Sequence, residues 1–217
     1  MPEQDLKREM ILDIALKRLA HFGPSKTTMD EIARDLEISK GLLYYYFPDK
    51  ESICIAAVER VVQTSVNSLQ ALMKEPLSMD ELLEHYLRLK EENYIRYQHL
   101  LGILEWSPKG RTCLAQQGLD IFRRAEVGFM AQLISRGIRE GEIDEHTDPK
   151  LTAEIFFDAM LGLRMMWVKE KCQHFSRIEK RNISVLMRRI RLLQETFFRG
   201  LRTAAAASGP AADAKMR

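Results

Sequence analysis

The side chains in this sequence that are best suited to chemistry lie between Thr27 and Lys50, and they suit hydrogen bonding to nucleic acid. Lys40 and Gly41 follow Ser39, which can cap a short helix by accepting a hydrogen bond from its first turn. A lysine ammonium there can donate to guanine O6 and N7 in the major groove, and a glycine beside it lets the backbone approach closely. The spacing predicts a short helix whose N-terminal residues face DNA bases.

The other outward positions of this helix suit contacts with the DNA backbone. Leu43 and Phe47 are four residues apart and should pack against the core, which leaves Tyr44 and Tyr45 facing outward. Tyrosine hydroxyls, lysine ammonium groups and the amides of a capped helix can bind phosphate oxygens. Leu42 either touches a thymine methyl group or packs in the core. The residues predicted to contact DNA are Thr28, Ser39, Lys40, Gly41, Leu42, Tyr44, Tyr45 and Lys50, with Thr28, Tyr45 and Lys50 at phosphates.

Two further helices must position this short helix. Thr28 and Glu31 have the spacing of a capping box, which predicts that a second helix starts there. A stripe of apolar residues at helical spacing predicts a first helix from Leu6 to Phe22, ended by Gly23-Pro24. Because only a few residues separate the second and third helices, the arrangement is that of a helix-turn-helix.

The pattern TT-x3-IA followed by SKG-x-LYYYF-x2-K resembles the DNA-binding domain of TetR-family transcriptional regulators. The resemblance implies an all-α fold, in which an N-terminal three-helix helix-turn-helix domain is joined to a larger helical ligand-binding and dimerisation domain. It also implies a homodimeric repressor, released from a palindromic operator in double-stranded DNA by a small apolar or amphipathic effector. The expected bounds are 1–50 for the DNA-binding domain, 51–202 for the second domain and 203–217 for a disordered tail. Glu37 stands where relatives often have Gly, and a left-handed non-glycine residue there costs about 1 kcal/mol.

Helix signals continue through the rest of the chain. Asp49 is a good N-cap, Ser78 has the spacing of another capping box, and Asp148-Pro149 is a strong start signal. The GxREGEI stretch, which begins at Gly137, resembles the family stretch that closes the helix begun near Thr112, and it predicts a Gly at the end of that helix near Arg136. The predicted helices of the second domain cover residues 50–74, 79–99, 112–136, 149–171 and 177–201.

Large apolar residues in the second domain give two further predictions. Aromatic and methionine side chains can line a pocket between helices, although each of them can equally fill the core. The predicted pocket residues are Tyr86, Tyr94, Trp106, Phe122, Phe129, Met160, Met166 and Trp167. The last two helices can close a core or pair with their copies in a four-helix bundle, and the resemblance favours the bundle. The residues predicted at this dimer interface are Phe156, Met160, Leu163, Ile183, Leu186, Ile190, Leu193 and Phe197.

Composition and residue spacing limit the compartment, the bound groups and the class of protein. The net charge of +2 does not by itself indicate a nucleic-acid binder, so the DNA prediction depends on the motif. Three distant cysteines without metal-ligand spacing, and the lack of a signal peptide or an apolar run of about 20 residues, predict a cytoplasmic protein with no bound metal, no cofactor and no membrane partner. Scattered histidines and missing catalytic motifs argue against an enzyme. The alternative is a helical small-molecule-binding or protein-interaction protein without specific DNA binding.

Overall fold

The computed structural model describes residues 3–101, 113–171 and 180–203, and these residues form eight α-helices and one short 3-10 helix, with no strand among them. The helices are α1 (Glu3–Phe22), α2 (Met29–Asp35), α3 (Lys40–Tyr46), α4 (Lys50–Leu72), α5 (Met79–Leu101), α6 (Cys113–Arg139), α7 (Pro149–Lys171) and α8 (Lys180–Leu201). The 3-10 helix, Pro24–Lys26, connects α1 to α2. The all-α prediction is confirmed.

The first of two hydrophobic cores lies among α1, α2, α3 and the N-terminal half of α4. Leu43 of α3 and Ile32 of α2 are fully buried in it, which holds α3 against the other helices. Leu100, near the end of α5, also belongs to this core. The N-terminal helices are therefore packed directly onto a helix that extends from the second core.

The second core is formed by α5, α6, α7 and α8 with the last turns of α4. Tyr97 and Phe122 pack against both cores, so the two are in contact rather than separated by a linker. None of the helices in the described ranges has a stretch that is long and apolar enough to cross a membrane.

The predicted helix starts are confirmed at the level of their caps. Thr28 Oγ1 accepts from the Glu31 amide at 3.3 Å, and Glu31 Oε2 accepts from the Thr28 amide at 2.9 Å. Equivalent reciprocal bonds join Ser78 and Glu81. Asp148 Oδ1 accepts from the amides of residues 150 and 151 at 2.9 and 3.0 Å. Helix ends differ from the predictions by a few residues, as at α1, which starts at Glu3 instead of Leu6.

The α6 helix ends in the GxREGEI stretch close to a Gly, as predicted, but three residues after Arg136. The α6 helix continues to Arg139, and the residue with left-handed geometry is Gly141, with φ of 74°. Gly137 is instead needed for packing, because a Cβ atom there would lie 3.0 Å from the side chain of Ile143, where the chain turns back. The predicted tail from residue 203 lies, apart from Thr203, outside the described residues.

Candidate DNA-binding surface and ligand cavity

The turn between α2 and α3 is four residues long and contains one left-handed residue. Glu37 has φ of 54°, which confirms the conformation for which relatives often have Gly. The Ile38 amide donates to the Ala33 carbonyl at 3.0 Å, and the Glu37 amide donates to the Arg34 carbonyl at 3.1 Å. These bonds close the end of α2 and offset a left-handed conformation that costs about 1 kcal/mol. The turn thereby fixes the direction in which α3 leaves α2.

The α3 helix presents one face outward and anchors the other. Ser39 Oγ accepts from the Leu42 amide at 3.2 Å, so the predicted cap is formed. On the outward face Tyr44 is 46% exposed, Tyr45 is 67% exposed, and Gly41 has open space where a Cβ would stand. Leu42 is half-buried, which leaves both of its interpretations open. The surface formed by residues 39–45 of α3 is called the α3 face below.

Lys40 is exposed at the start of α3 and forms an ion pair with Asp30 of α2. Its Nζ atom donates to Asp30 Oδ2 at 2.5 Å, and both side chains are at least half exposed. The sequence did not indicate this pair, because its partners lie ten residues apart across the turn. A base or phosphate that takes the lysine ammonium must compete with this carboxylate.

The three residues predicted to contact phosphate all have partners within the chain. The Tyr45 hydroxyl accepts from the Gln4 side chain of α1. The Thr28 hydroxyl belongs to its capping box, and Lys50 Nζ donates to the Pro24 carbonyl at 3.1 Å. Lys50 thus ties the start of α4 to the 3-10 helix, a structural contact that sequence reasoning missed.

Acidic side chains of α2 are partly neutralised by a cation of α1. Arg18 bridges Glu31 at 2.8 Å and Asp35 at 2.7 Å. Hydrogen bonds from Thr28, with a smaller effect of Arg18, lower the pKa of Glu31, so this carboxylate stays charged. This arrangement turns Glu31 and Asp35 toward α1, away from the α3 face.

A cavity of about 90 Å³ lies in the second core between α4, α5, α6 and α7. Five of the predicted pocket residues line it, namely Tyr86, Tyr94, Phe122, Phe129 and Met160. Met166 is 59% exposed and Trp167 is fully buried, and neither of them lines this cavity. The α7 helix turns Met166 outward and packs Trp167 into the core. Trp106 lies outside the described residues.

The cavity wall also carries charged groups that the sequence reasoning missed. Lys90 Nζ donates to Glu126 Oε1 at 2.5 Å, and the Tyr86 hydroxyl donates to the other oxygen of that carboxylate. Arg164 of α7 lines the same cavity. A signal was present in the sequence, since Lys90 lies four residues from both Tyr86 and Tyr94 on the stripe that lines the cavity.

Most of the residues predicted at the dimer interface are buried within the chain's own core. Fully or nearly fully buried are Phe156, Met160, Ile183, Leu186 and Ile190. Half-buried against the same core are Leu163, Leu193 and Phe197. The apolar residues of α7 and α8 that do face outward are Leu151, Ile155, Met166, Val185 and Leu192, and they are called the outer face below.

Comparisons with known proteins agree with this architecture. Residues 11–57 match the family model described as bacterial regulatory proteins, tetR family. The chain is 24% identical over 164 residues to the HTH-type transcriptional regulator YhgD of Bacillus subtilis, covering 76% of this chain and 85% of that protein. A crystal structure of a transcriptional regulator from Cytophaga hutchinsonii superposes with a TM-score of 0.78 at 26% identity, covering 91% of this chain and 99% of that one.

A further solved structure, of the transcriptional regulator FadR from Bacillus subtilis in complex with stearoyl-CoA, is similar in fold. It superposes with a TM-score of 0.59 at 21% identity and covers 84% of this chain and 96% of that one. The match in residues 11–57 includes both caps, the left-handed turn and the anchored α3 helix. Residues 11–57 therefore match the TetR family of bacterial regulatory proteins, and most of the chain is similar to an HTH-type transcriptional regulator.

Proposed function

We propose that this chain is a homodimeric repressor that binds a palindromic operator in cytoplasmic DNA through its α3 face and releases it when a small apolar or amphipathic effector fills the cavity. The observation that carries the proposal is the α3 face itself. Lys40, Gly41 and Tyr45 project from a capped helix whose opposite side is fixed by Leu43 and Phe47. A helix held in this way can enter the major groove without losing its packing.

Dimerisation through the outer face supplies the second α3 face that a palindromic operator requires. Leu151, Ile155 and Met166 recur at spacings of four and eleven residues on α7, and Val185 and Leu192 are seven apart on α8. Those spacings keep each set on one side of its helix. The α7 and α8 helices pack side by side, and a second copy of the chain is the partner that the family resemblance favours for their exposed apolar residues.

Two contacts between the cores support release of DNA by an effector. The α4 helix begins beside the 3-10 helix through Lys50 and supplies Leu69 to the cavity wall. Gly23 lies against His99 of α5. Ile95, one helical turn before His99, packs against the second core. An effector that shifts α4 or α5 would therefore change the position of the α3 face, and the two faces of the dimer would no longer match the operator. The stearoyl-CoA bound to FadR supports a small molecule as the effector.

Fluorescence anisotropy with a cognate and a scrambled DNA duplex tests whether the chain binds DNA specifically. The cognate duplex is obtained by selection from a random pool, and binding is measured across a salt series. Lys40→Ala should weaken cognate binding by about 1–3 kcal/mol and scrambled binding by less, because only the cognate site offers the base contact. Lys50→Ala should weaken both about equally. Equal affinity of the unaltered chain for both duplexes would refute the proposal and favour a helical protein without specific DNA binding.

Sedimentation equilibrium tests the dimer. The double variant Ile155→Asp, Leu192→Asp places carboxylates in the outer face and should shift the protein from dimer to monomer, because burying unpaired charges costs several kcal/mol. Leu6→Asp, an exposed apolar residue on α1, is the matched control and should leave the dimer intact. A dimer that survives the double variant at micromolar concentration would show that the outer face is not the interface.

A further inference from the structure

The first turns of α1 lie beside the α3 face. Gln4 Nε2 donates a hydrogen bond to the Tyr45 hydroxyl, and the Arg8 guanidinium lies 4.8 Å from the centre of the Phe47 ring. Gln4 and Arg8 are four residues apart, so they share one side of α1. The start of α1 is therefore joined to α3 at two positions.

The α1 helix is a fixed support for these contacts. Its side chains Ile11 and Leu19 are fully buried in the first core. Arg60 of α4 binds the Asp13 carboxylate of α1 at 2.8 Å. Because α1 is held by the core and by α4, its position beside Tyr45 is set before DNA binds.

The direction of the bond from Gln4 determines what the Tyr45 hydroxyl can still do. A phenol hydroxyl has one hydrogen to donate and an oxygen that can accept. Since Gln4 donates, the Tyr45 oxygen is the acceptor, and within the described ranges its hydrogen has no acceptor. An oxygen that accepts a bond is also polarised into a stronger donor. A phosphate oxygen, which only accepts, matches this free donor.

The ring of Tyr45 is held as well as its hydroxyl. It packs edge-to-face against Tyr46, with ring centroids 5.1 Å apart and ring planes at 87°. An exposed side chain that is free to rotate loses conformational entropy when a ligand immobilises it. Contacts at both the ring and the hydroxyl reduce that loss for Tyr45.

Building on the proposed function, we infer that Gln4 is a positioning residue for DNA binding, which holds Tyr45 with its hydroxyl hydrogen available to a phosphate oxygen. Gln4 acts through Tyr45 and need not touch the DNA. Because phosphates carry no sequence information, its effect is the same on every duplex. In the opposite arrangement, with Tyr45 donating to the amide oxygen of Gln4, the glutamine would compete with phosphate instead.

A double-mutant cycle with Tyr45→Phe tests this role by fluorescence anisotropy of the full chain on cognate and scrambled duplexes. Tyr45→Phe should weaken binding to both about 10-fold, since a hydrogen bond to a charged group is lost. Gln4→Ala should weaken both by about 3–5-fold, but by less than about 1.5-fold in the Tyr45→Phe background. Tighter binding by Gln4→Ala, no change, or an equal loss in both backgrounds would overturn the inference.

Gln4→Glu reverses the hydrogen bond with little change in size. A carboxylate only accepts, so it takes the Tyr45 hydrogen that phosphate would otherwise receive. The loss of affinity should therefore exceed that of Gln4→Ala. The added charge also repels phosphate, and the Tyr45→Phe background measures that repulsion alone. A coupling of at least about 3-fold between Gln4→Glu and Tyr45→Phe is expected, and independent effects would contradict the role of Gln4.

The salt dependence separates positioning from a general disturbance of α3. The slope of log affinity against log salt reflects the phosphates neutralised by lysine and arginine, and a tyrosine hydroxyl neutralises none. Gln4→Ala should therefore lower the affinity at an unchanged slope, with an unchanged midpoint of urea unfolding. Gln70→Ala, at an exposed glutamine of α4, is the matched control and should change neither affinity nor slope. A shallower slope in Gln4→Ala would mean that α3 itself is displaced, and would refute the positioning role.

The two duplexes distinguish this inference from the proposed function. If the unaltered chain binds both duplexes equally and the cycle still shows the coupling, specific recognition fails and the role of Gln4 stands. If the cognate duplex is preferred and Gln4→Ala binds as the unaltered chain does, the proposed function stands and the role of Gln4 is refuted.

Discussion

Lys40 is held by a carboxylate of its own chain before any DNA is present. Its ammonium lies 2.5 Å from Asp30, and both side chains are exposed. An exposed ion pair contributes about 0–1 kcal/mol, which DNA must exceed to capture the lysine. Asp30→Asn removes this competition and one negative charge beside the phosphates. We expect tighter operator binding, by up to about 5-fold, in anisotropy titrations at constant salt.

The matched control for Asp30→Asn is Glu75→Gln, which changes the net charge equally at an exposed position in the α4–α5 connection. Repeating Asp30→Asn in the Lys40→Ala background isolates the pair, and the gain should shrink there. An equal gain from Glu75→Gln would mean that total charge, and not the release of Lys40, sets the affinity.

Contacts between residues close in sequence could be predicted, and contacts across turns could not. The capping boxes at Thr28 and Ser78 depend only on residues three apart, so their sequence pattern was sufficient. The pair of Lys40 with Asp30 depends on the path of the turn, which Glu37 alone does not specify. Lys90 was overlooked because a lysine on a helix is usually solvated, and its burial requires knowing that α6 brings Glu126 opposite.

At the scale of helices, periodicity identified α7 and α8 but not which of their sides is buried. Both Ile155 and Phe156 fit an apolar stripe, yet Phe156 is buried and Ile155 is half exposed. A helix that is apolar on two sides has no single direction that its sequence can indicate. That ambiguity explains why the predicted dimer residues turned out to be core residues.

The kink in α5 was equally unpredictable. Tyr97 leaves the helical conformation, with φ of −116° and ψ of 18°, although α5 itself contains no Pro or Gly. Tyr94, one turn earlier, lines the cavity, and Leu100, one turn later, belongs to the first core. The kink therefore lies where one helix passes from the ligand cavity to the DNA-binding helices.

Gly23, which connects α1 to the 3-10 helix, gives a prediction about the stability of the fold. Gly23 has φ of 78° and ψ of 165°, a region that is essentially restricted to glycine. A Cβ atom there would also lie 3.3 Å from the His99 carbonyl oxygen. Gly23→Ala should lower the free energy of unfolding by about 1–3 kcal/mol, measured by urea denaturation followed by circular dichroism.

Gly41→Ala is the contrasting variant, because nothing lies within 4 Å of the added methyl group and the position is helical. It should raise the free energy of unfolding by about 0.5–1 kcal/mol while weakening operator binding, since the methyl group holds the backbone away from the DNA. Equal stability of the two variants would refute the assignment of strain to Gly23.

At the scale of the whole molecule, carboxylates that accept hydrogen bonds at a helix start or from another helix make the free energy of unfolding depend on pH. The pKa of Glu84 is lowered by hydrogen bonds from Arg191 of α8, one of which measures 2.9 Å. Hydrogen bonds from Ser78 lower the pKa of Glu81 in the same way. Because folding lowers these pKa values, the unfolded chain binds protons first as pH falls, and it is favoured in acid.

The stabilisation from these carboxylates is fully present above their unfolded pKa of about 4.3 and is lost as pH falls through the lower pKa of the folded state. We therefore expect the free energy of unfolding, measured with urea at fixed protein concentration, to decrease between about pH 5 and pH 3. Glu84→Gln should lower it at pH 7 and reduce its dependence on pH, because the variant has no proton to gain there. Glu92→Gln, an exposed position on the same helix, should leave the pH profile unchanged. If Glu84→Gln kept the full slope, the pair joining α5 to α8 would make no contribution to acid unfolding.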